Sequence, residues 1–264
     1  MLAMASEQPG RLTPLDARGC DILADVLGDS PETLISRHLL KRRRCRAYVA
    51  GEPSHFRGAI IQNRGDPGEP MGFGREPDVL WSLLQAARGW YCLNVSAGCA
   101  AALGKLMAEN LGVAVRCLGD IYHVLSRSAP GFAHPSVRQL TVEDLQLLEV
   151  APAELRGHAY SSLQGMLEEG IAAGAVVSGR LVSIAKTYAR TEGHADIGVF
   201  TIDGFRRQGF ATAAAAIAAA RVQEAGQTPV WSAGEHNAAS LRVAEKLGFT
   251  RVLARTYVIP ERGD

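Results

Sequence analysis

The sequence lacks the short motifs that assign many enzymes to a class. Its 264 residues contain no Gly-x-Ser-x-Gly segment, no long glycine-rich phosphate loop and no His-Glu-x-x-His segment. These absences exclude the usual signatures of serine hydrolases, nucleoside-triphosphate hydrolases and zinc peptidases. The five cysteines lie in the first half and form no CxxC pair. An odd, scattered set predicts buried reduced thiols, without a disulfide framework or a metal site.

An excess of charge of one sign is also lacking. There are 28 basic and 27 acidic residues, so no overall attraction to nucleic acid or to a membrane is predicted. The basic run at residues 41–44 could contact phosphate, but a position at the negative end of a helix dipole is the favoured interpretation. Residues 1–18 contain no sustained apolar segment typical of a signal peptide or membrane span, so a cytoplasmic location is expected.

Two α/β domains are predicted from the order of the apolar patterns and from one segment rich in helix and strand breakers. Residues 128–135 are dense in proline and glycine and carry no periodic apolar residues. We therefore predict a smaller domain over residues 1–129 and a second domain over residues 130–264. In the first domain, predicted helices and strands alternate, with a Gly- and Pro-rich loop at residues 65–77.

A strand, a basic turn and a helix follow one another in the second domain. Residues 195–202 are rich in branched and aromatic side chains, whereas residues 211–224 are dense in alanine and free of Gly and Pro. The first N–H groups of such a helix have no partners inside the helix and attract negative charge. Gly209 allows close backbone approach, and Arg206 and Arg207 add donors that suit phosphate. The turn therefore predicts a phosphate-binding site.

This turn resembles the acyl-CoA-binding motif of the GNAT superfamily of N-acyltransferases. The family pattern is Gln or Arg, two residues, Gly, one residue, then Gly or Ala, and Arg206, Gly209 and Ala211 meet it. Residues 237–249 look like the next helix of the family, with its Leu-Gly-Phe ending, and residues 229–233 look like the strand before that helix. Two motifs in the family's order and spacing are much harder to obtain by chance than one.

The resemblance covers roughly residues 137–259 and implies the GNAT fold. The expected class is α/β (α+β), with a central mixed, mostly antiparallel sheet flanked by helices and preceded by the smaller, divergent α/β domain. The two halves of the sequence show internal similarity. Residues 108–112 resemble residues 244–248, and each segment lies between two predicted strands. We interpret the first domain as a degenerate GNAT copy without the phosphate turn; chance similarity of two α/β halves is the alternative.

The resemblance also implies acetyl-CoA as co-substrate and no metal. In this family, the strand before the turn offers backbone groups to the pantetheine arm, and the turn with the start of its helix holds the pyrophosphate. Asn237 is expected both to cap the next helix and to contact the cofactor. The expected cofactor-binding residues are Val199, Phe200, Thr201, Arg206, Arg207, Gln208, Gly209, Phe210, Ala211, Thr212 and Asn237.

Acyl transfer to an amine needs a group that takes the proton of the amine and a group that gives a proton to the departing thiolate. Asp196 matches the family's carboxylate position, with an ion pair to a surface base as the structural alternative. Many family members carry a Tyr proton donor where this chain has Ala244. The candidates to replace it are Glu235, His236, Tyr188 and His194.

The function that the resemblance implies is an N-acetyltransferase that moves an acetyl group from acetyl-CoA to a primary amine of a small molecule or peptide. A homodimer is compatible with it. One alternative is a non-catalytic acyl-CoA-binding regulatory module, and another is an O-acyltransferase or acyl-CoA decarboxylase on the same fold. Acceptor pockets on such a fold are built by loops and early helices without a transferable residue code, so the sequence does not identify the acceptor.

Overall fold

The computed structural model of the protein describes residues 13–157 and 159–261. The prediction that residues 1–18 carry no signal peptide therefore falls largely, at residues 1–12, outside the described residues. The helices are α1 (Ala17–Leu27), α2 (Leu34–Lys41), α3 (Pro77–Leu84), α4 (Ala97–Leu111), α5 (Leu145–Glu149), α6 (Ala153–Arg156), α7 (Leu163–Glu169), α8 (Phe210–Glu224) and α9 (Ala238–Leu247). The strands are β1 (Cys45–Glu52), β2 (His55–Asn63), β3 (Met71–Gly74), β4 (Leu93–Ser96), β5 (Val115–Val124), β6 (Val137–Leu140), β7 (Ala172–Val177), β8 (Arg180–Arg190), β9 (His194–Thr201), β10 (Thr228–Gly234) and β11 (Thr250–Pro260).

All these strands form one sheet of eleven strands in the order β1-β2-β3-β4-β11-β5-β10-β9-β8-β7-β6. Most neighbours are antiparallel, whereas β3 with β4 and β9 with β10 are parallel. Helices pack on the sheet, as α8 does on β7, β8 and β9. The expected mixed, mostly antiparallel sheet flanked by helices is confirmed.

The two predicted parts of the chain share this sheet through interleaved strands. β11 lies between β4 and β5, and β5 lies between β11 and β10. In the register, Tyr122 of β5 faces Ser232 of β10, and Tyr257 of β11 faces Asn94 of β4. Residues 125–136, where the domain boundary is predicted, form no helix or strand. The domain boundary stays a prediction. Each predicted domain places one strand between two strands of the other domain, β5 between β11 and β10 and β11 between β4 and β5.

Alanine composition explains how closely α8 lies against the sheet. Nine of its fifteen residues are buried, and Ala214, Ala218 and Ala219 are fully covered. A methyl group keeps the helix axis near the strands, and alanine also has the highest helix propensity. On the same face, the Trp231 and Phe249 rings meet edge to face with centroids 5.4 Å apart. The start of α8 is thereby fixed relative to β9.

Two elements differ from the sequence prediction. The predicted loop at residues 65–77 contains β3, because its glycines permit close packing that larger residues would prevent. Gly74 has φ +128°, and an added Cβ would lie 2.5 Å from the carbonyl oxygen of Arg57 in β2. The sequence also predicts a helix over residues 160–172, but the helix is shorter, because α7 spans Leu163–Glu169 and β7 begins at Ala172.

Local predictions about caps and basic residues agree with the structure. Thr141 with Asp144 three residues later is a sequence pattern that predicts a capping box, and the structure confirms it. The two residues bond reciprocally, and the Thr141 N–H donates to Asp144 Oδ2 at 3.0 Å. The basic run lies at the end of α2 and pairs with carboxylates. Lys41 Nζ is 2.7 Å from Asp25 Oδ1, and Arg42 pairs with Glu169. This placement supports a helix-end role for the run.

Four of the five cysteines match the sequence prediction. Cys20, Cys45, Cys92 and Cys99 are buried free thiols, as predicted, whereas Cys117 is exposed. In the described range, no group of three or more His, Cys, Asp or Glu side chains could hold a metal ion. The helices of residues 13–157 and 159–261 are all too short or too polar to cross a membrane.

Candidate functional site

The predicted phosphate turn lies between β9 and α8. A short 3-10 turn at Asp203–Phe205 precedes it, and both Arg207 (φ +62°) and Gly209 (φ +85°) adopt left-handed backbone conformations. Gly209 is the N-cap of α8, and its carbonyl accepts from the N–H of Ala213 at 3.0 Å. The N–H groups that precede Ala213 in the helix have no intrahelical partner and are free for an anion.

A groove with a volume of about 650 Å³ runs between this turn, the end of β9 and α9. Ten of the eleven predicted cofactor residues line the groove, namely Val199, Phe200, Thr201, Arg206, Arg207, Gly209, Phe210, Ala211, Thr212 and Asn237. Gln208 is exposed in the turn and is outside this lining. The structure thus brings the strand, the turn and the second helix to one cavity.

The groove is positively charged. Its lining includes Arg206, Arg207, Arg242 and Lys246 and contains no Asp or Glu. Arg206 is partly engaged, since its guanidinium lies 2.7 Å from the exposed Asp203 carboxylate. Arg242 and Lys246 were not predicted from the sequence, although their spacing of four residues on one helix places them on the same face. This charge suits a ligand with several phosphate groups.

Asn237 has the capping role that the sequence predicts. Its Oδ1 accepts from the N–H of Ser240 at 3.1 Å, at the start of α9. Ser240 Oγ in turn accepts from Trp231 Nε1 at 3.0 Å, which ties α9 to the core. Asn237 also lines the groove, so both expected positions are compatible.

The strands β9 and β10 separate at Asp196. They pair only at His194 with Thr228, Ala195 with Pro229 and Asp196 with Val230. Beyond these pairs, the described strand contacts of β9 are with β8 and those of β10 are with β5. Separating strands leave unpaired backbone groups that can bind an extended ligand. Asp196 therefore stands where the sheet opens.

Asp196 is buried without a basic partner among the described residues. Its side chain is 6 % exposed, and Ser232 Oγ donates to Oδ1 at 3.4 Å. Burial, with the nearby Asp120 carboxylate as a second cause, raises the pKa of Asp196 from 3.8 to about 7. No surface base pairs with Asp196 in the described range. A carboxyl with this pKa can exchange a proton near neutral pH.

A second cavity, of about 260 Å³, contains Asp196 and is built by both halves of the chain. Its polar lining comprises Asn63, Asp66, Glu69, Asn94, Asp120, Tyr122, Tyr188, Asp196, Ser232 and Tyr257, and its apolar lining comprises Ile35, Leu39, Ile61 and Met71. As expected from period-two alternation, Asp196 faces away from Ile197 and Val199, which pack in the core beneath α8. The acidic pocket is our name for this cavity.

Three phenol groups line the acidic pocket. Tyr188 is the extra residue of a bulge in β8, between Thr187 and Ala189, and such bulges re-aim side chains. Its hydroxyl accepts from Asn63 Nδ2 at 3.2 Å, and burial raises its pKa to about 12. Burial likewise raises the pKa of Tyr122 and of Tyr257. All three are therefore protonated at neutral pH.

The other predicted proton-transfer residues lie elsewhere. Glu235 Oε1 accepts from the N–H of Gly119 at 3.0 Å, which joins β10 to β5. His236 is exposed in the turn after β10, and neither residue lines the groove or the acidic pocket. His194 Nδ1 bonds Asp29 Oδ1 at 2.8 Å, and Ala244 is fully buried in the core. Among the four candidates, only Tyr188 lines the acidic pocket.

Comparison with solved structures shows a similar fold over nearly the whole chain. A GCN5-related N-acetyltransferase-like protein from Streptococcus suis 89/1591 is 22% identical, with 93% of this chain and 99% of that chain covered and a TM-score of 0.69. A GCN5-related N-acetyltransferase from Kribbella flavida is 15% identical, with 95% and 97% covered and a TM-score of 0.62. A tandem GNAT protein from the clavulanic acid biosynthesis pathway is 14% identical, with 96% and 99% covered and a TM-score of 0.56.

Sequence comparison gives a match in the second half of the chain. None of the curated proteins matches the sequence. The family model described as GNAT acetyltransferase matches residues 141–258, which include β9, the phosphate turn, α8 and α9. This range agrees with residues 137–259, over which the sequence motifs indicate the same family. Residues 141–258 of the chain therefore belong to the GNAT acetyltransferase family.

Proposed function

We propose that the protein is an acetyl-CoA-dependent N-acetyltransferase that acts on a primary amine. The observation that carries the proposal is the position of Asp196 at the opening between β9 and β10. The basic groove reaches Val199 on the same strand, and the acidic pocket reaches Asp196 three residues earlier. At about 3.3 Å per residue, these positions are about 10 Å apart, a span that a thioester arm can cross.

The residues of the groove fit the chemical features of acetyl-CoA. The start of α8 and the arginines of the turn would hold the pyrophosphate, and Arg242 and Lys246 offer further cations for phosphate. Val199, Phe200 and Thr201 lie where the backbone of β9 is not paired with β10 and would hold the pantetheine amides. When bound, acetyl-CoA supplies the thioester carbonyl that the amine attacks.

Asp196 and Tyr188 can move the protons of this reaction. Asp196 takes one proton from the ammonium form of the acceptor and later releases it to solvent. The neutral nitrogen then forms the new C–N bond as the C–S bond breaks. The departing sulfur takes the phenolic proton of Tyr188, and the proton lost by the new amide nitrogen returns through water to Tyr188. Because Asn63 donates to the Tyr188 oxygen, the phenolic O–H is free to donate.

We further propose that residues 1–129 are a degenerate GNAT copy without the phosphate turn. The β4–α4–β5 segment and the β10–α9–β11 segment have the same order, and each last strand pairs with the other segment's first strand. The tandem GNAT protein of similar fold supports this proposal. The protein should therefore bind one acetyl-CoA per chain.

Thiol release from acetyl-CoA, measured against a panel of primary amines, tests the proposed function. Amine-dependent release with formation of the N-acetyl product supports an N-acetyltransferase. CoA binding by calorimetry without turnover of any acceptor would instead indicate a regulatory module. Acetylation of alcohols but not amines would indicate O-acyl transfer. Lack of CoA binding at millimolar concentration would refute the groove assignment itself.

A further inference from the structure

We propose that the acceptor is a small aliphatic amine that carries a second positively charged group, bound in the acidic pocket with its reacting nitrogen at Asp196. This inference rests on the proposed function and names its substrate class. The charge of the pocket, the depth of each carboxylate, the aromatic walls and the volume all support it.

The ionisable groups that line the acidic pocket are all acidic. Four carboxylates line it, from Asp66, Glu69, Asp120 and Asp196, and its lining includes no Lys, Arg or His. The groove on the other side has the reverse composition, with four cations and no carboxylate. Because each cavity favours a ligand of opposite charge, the polyanionic co-substrate and a cationic acceptor would enter different cavities.

The inner pair of carboxylates is deep and incompletely partnered. Asp196 is 6 % exposed, and only the long bond from Ser232 reaches it among the described residues. Asp120 is 3 % exposed and accepts from Asn94 Nδ2 at 3.1 Å and from the Tyr122 hydroxyl. Burial raises the pKa of Asp120 despite these two bonds and the charge of Arg255. Two close buried carboxyls without a cation in the lining would gain stability from a bound ammonium group.

The one basic side chain behind the pocket is already engaged. Arg255 Nε donates to Asn94 Oδ1 at 2.5 Å, and its Nη1 lies 2.5 Å from Glu32 Oε1. Its Nη2 donates to the carbonyls of Gly72 and Asn94 at 2.7 and 2.9 Å. Arg255 is 1 % exposed and is outside the pocket lining. Arg255 therefore orients Asn94, and its positive charge acts on the facing Asp120 without a direct ion pair, whereas no basic side chain of the described residues acts on Asp196.

The outer pair lies at the surface end of the pocket. Asp66 is exposed and forms no ion pair with any described side chain. Glu69 is also exposed and accepts from Tyr91. Tyr122, Tyr188 and Tyr257 also line the pocket, and phenol rings attract cations. An acceptor with one cationic end at each depth would satisfy both pairs.

The volume of the pocket argues against a peptide, and the placement of its carboxylates argues against a metal ion. At about 260 Å³ the pocket is below the roughly 300–1,000 Å³ typical of ligand sites, so it suits a short molecule better than a peptide. The carboxylates are not grouped for coordination, since no cluster in the described range could hold a metal ion. An organic cation fits both observations.

Four primary amines that share a four-carbon chain test the inference, because they differ in the charge of the far end. They are butane-1,4-diamine (the diamine), butylamine (the monoamine), 4-aminobutanol and 4-aminobutanoate. We expect kcat/KM for the diamine to exceed the values for the monoamine and 4-aminobutanol by about tenfold or more, with 4-aminobutanoate the poorest. Equal kcat/KM values for the diamine and the monoamine would overturn the substrate class while leaving the proposed function intact.

Charge-removing variants locate the second positive group. Asp66→Asn with Glu69→Gln should raise the Michaelis constant for the diamine about tenfold and leave that for the monoamine within about twofold. Glu52→Gln removes an exposed carboxylate at the end of β1, outside both cavities, and is the matched control. An equal change for both amines in the double variant, or the same change in Glu52→Gln, would contradict the inference.

A binding measurement separates this inference from the proposed function. With CoA present, calorimetric titration should show tighter binding of the diamine than of the monoamine, whether or not turnover occurs. Binding without turnover would refute the proposed function and support the ligand class. Absence of diamine binding would overturn the inference, even if another amine were acetylated.

Discussion

Replacing Asp196 with Asn has two consequences of opposite sign, one for stability and one for activity. The pKa of Asp196 is raised from 3.8 to about 7 because the carboxyl is buried. A carboxyl with a raised folded pKa favours the folded state when protonated, so its contribution is lost as the pH rises from about 4 to about 7. At pH values above 7, the full cost of the ionised group is about 4 kcal/mol.

Asp196→Asn removes this cost because the amide has nearly the same size and does not ionise. From about pH 5 to pH 8, the stability of the variant relative to wild type should rise by about 2.5 kcal/mol. In a chain of this length, that change widens the difference in melting temperature by about 5–10 °C. Differential scanning calorimetry at both pH values measures the effect. Asp78→Asn, which changes an exposed residue of α3, is the control and should show no such pH-dependent gain.

The same substitution should lower kcat by about a hundredfold or more while leaving CoA affinity nearly unchanged. In the wild type, kcat/KM should rise with pH to a plateau above about 7, and the variant should lose this limb. Unchanged turnover at saturating acceptor would show that Asp196 is structural. A difference in melting temperature that is the same at both pH values would refute the buried ionising carboxyl.

Three further perturbations test other parts of the structure. Gly209→Glu should abolish CoA binding without unfolding the protein. Gly209→Ala carries the same left-handed backbone cost, about 1–2 kcal/mol, and should retain CoA binding. Equal loss of CoA binding in both variants would refute an anion-binding site at the turn. Tyr188→Phe should lower kcat about tenfold or more with the KM for acetyl-CoA unchanged, and full activity would exclude Tyr188 as proton donor. Deleting residues 1–129 should give a product that aggregates, because removal of β5 exposes the edges of β10 and β11. A fragment that is soluble in size-exclusion chromatography and binds CoA in calorimetry would contradict this expectation.

The basic groove of the candidate site was predictable because the elements that build it are local in the sequence. The sequence predicts a helix at residues 211–224, and α8 spans Phe210–Glu224. The turn follows its strand directly, so ten of the eleven predicted residues meet in one groove. Helix caps are equally local, as Thr141 and Asn237 show. Such features depend on a few neighbouring residues and on backbone chemistry that any chain shares.

The acidic pocket was not predictable because it depends on strand order. Asp120 and Tyr122 reach the pocket on β5, which lies between β10 and β11 although it precedes both by more than a hundred residues. Tyr257 reaches it on β11, which inserts next to β4. Tyr188 faces the pocket at a bulge, which interrupts the alternation from which its direction would be inferred. Neither the interleaving nor the bulge has a sequence pattern of its own.

The register of the interleaved strands explains why a duplicated fold would have a single acidic pocket. Tyr122 faces Ser232, and Tyr257 faces Asn94, so the two tyrosines occupy equivalent positions in the two halves.

Two residues before each tyrosine stand Asp120 and Arg255, which face each other across the β5–β11 pair. These equivalent positions have opposite charges. Asp120 lines the pocket, whereas Arg255 binds Asn94 and Glu32. If the halves arose by duplication, this divergence left both tyrosines in one pocket and supplied Asp120, one of the four carboxyl groups that line the pocket. Because the phosphate turn predicted from the sequence follows β9, a cationic acceptor held beside Asp120 would meet a thioester from the β9 side.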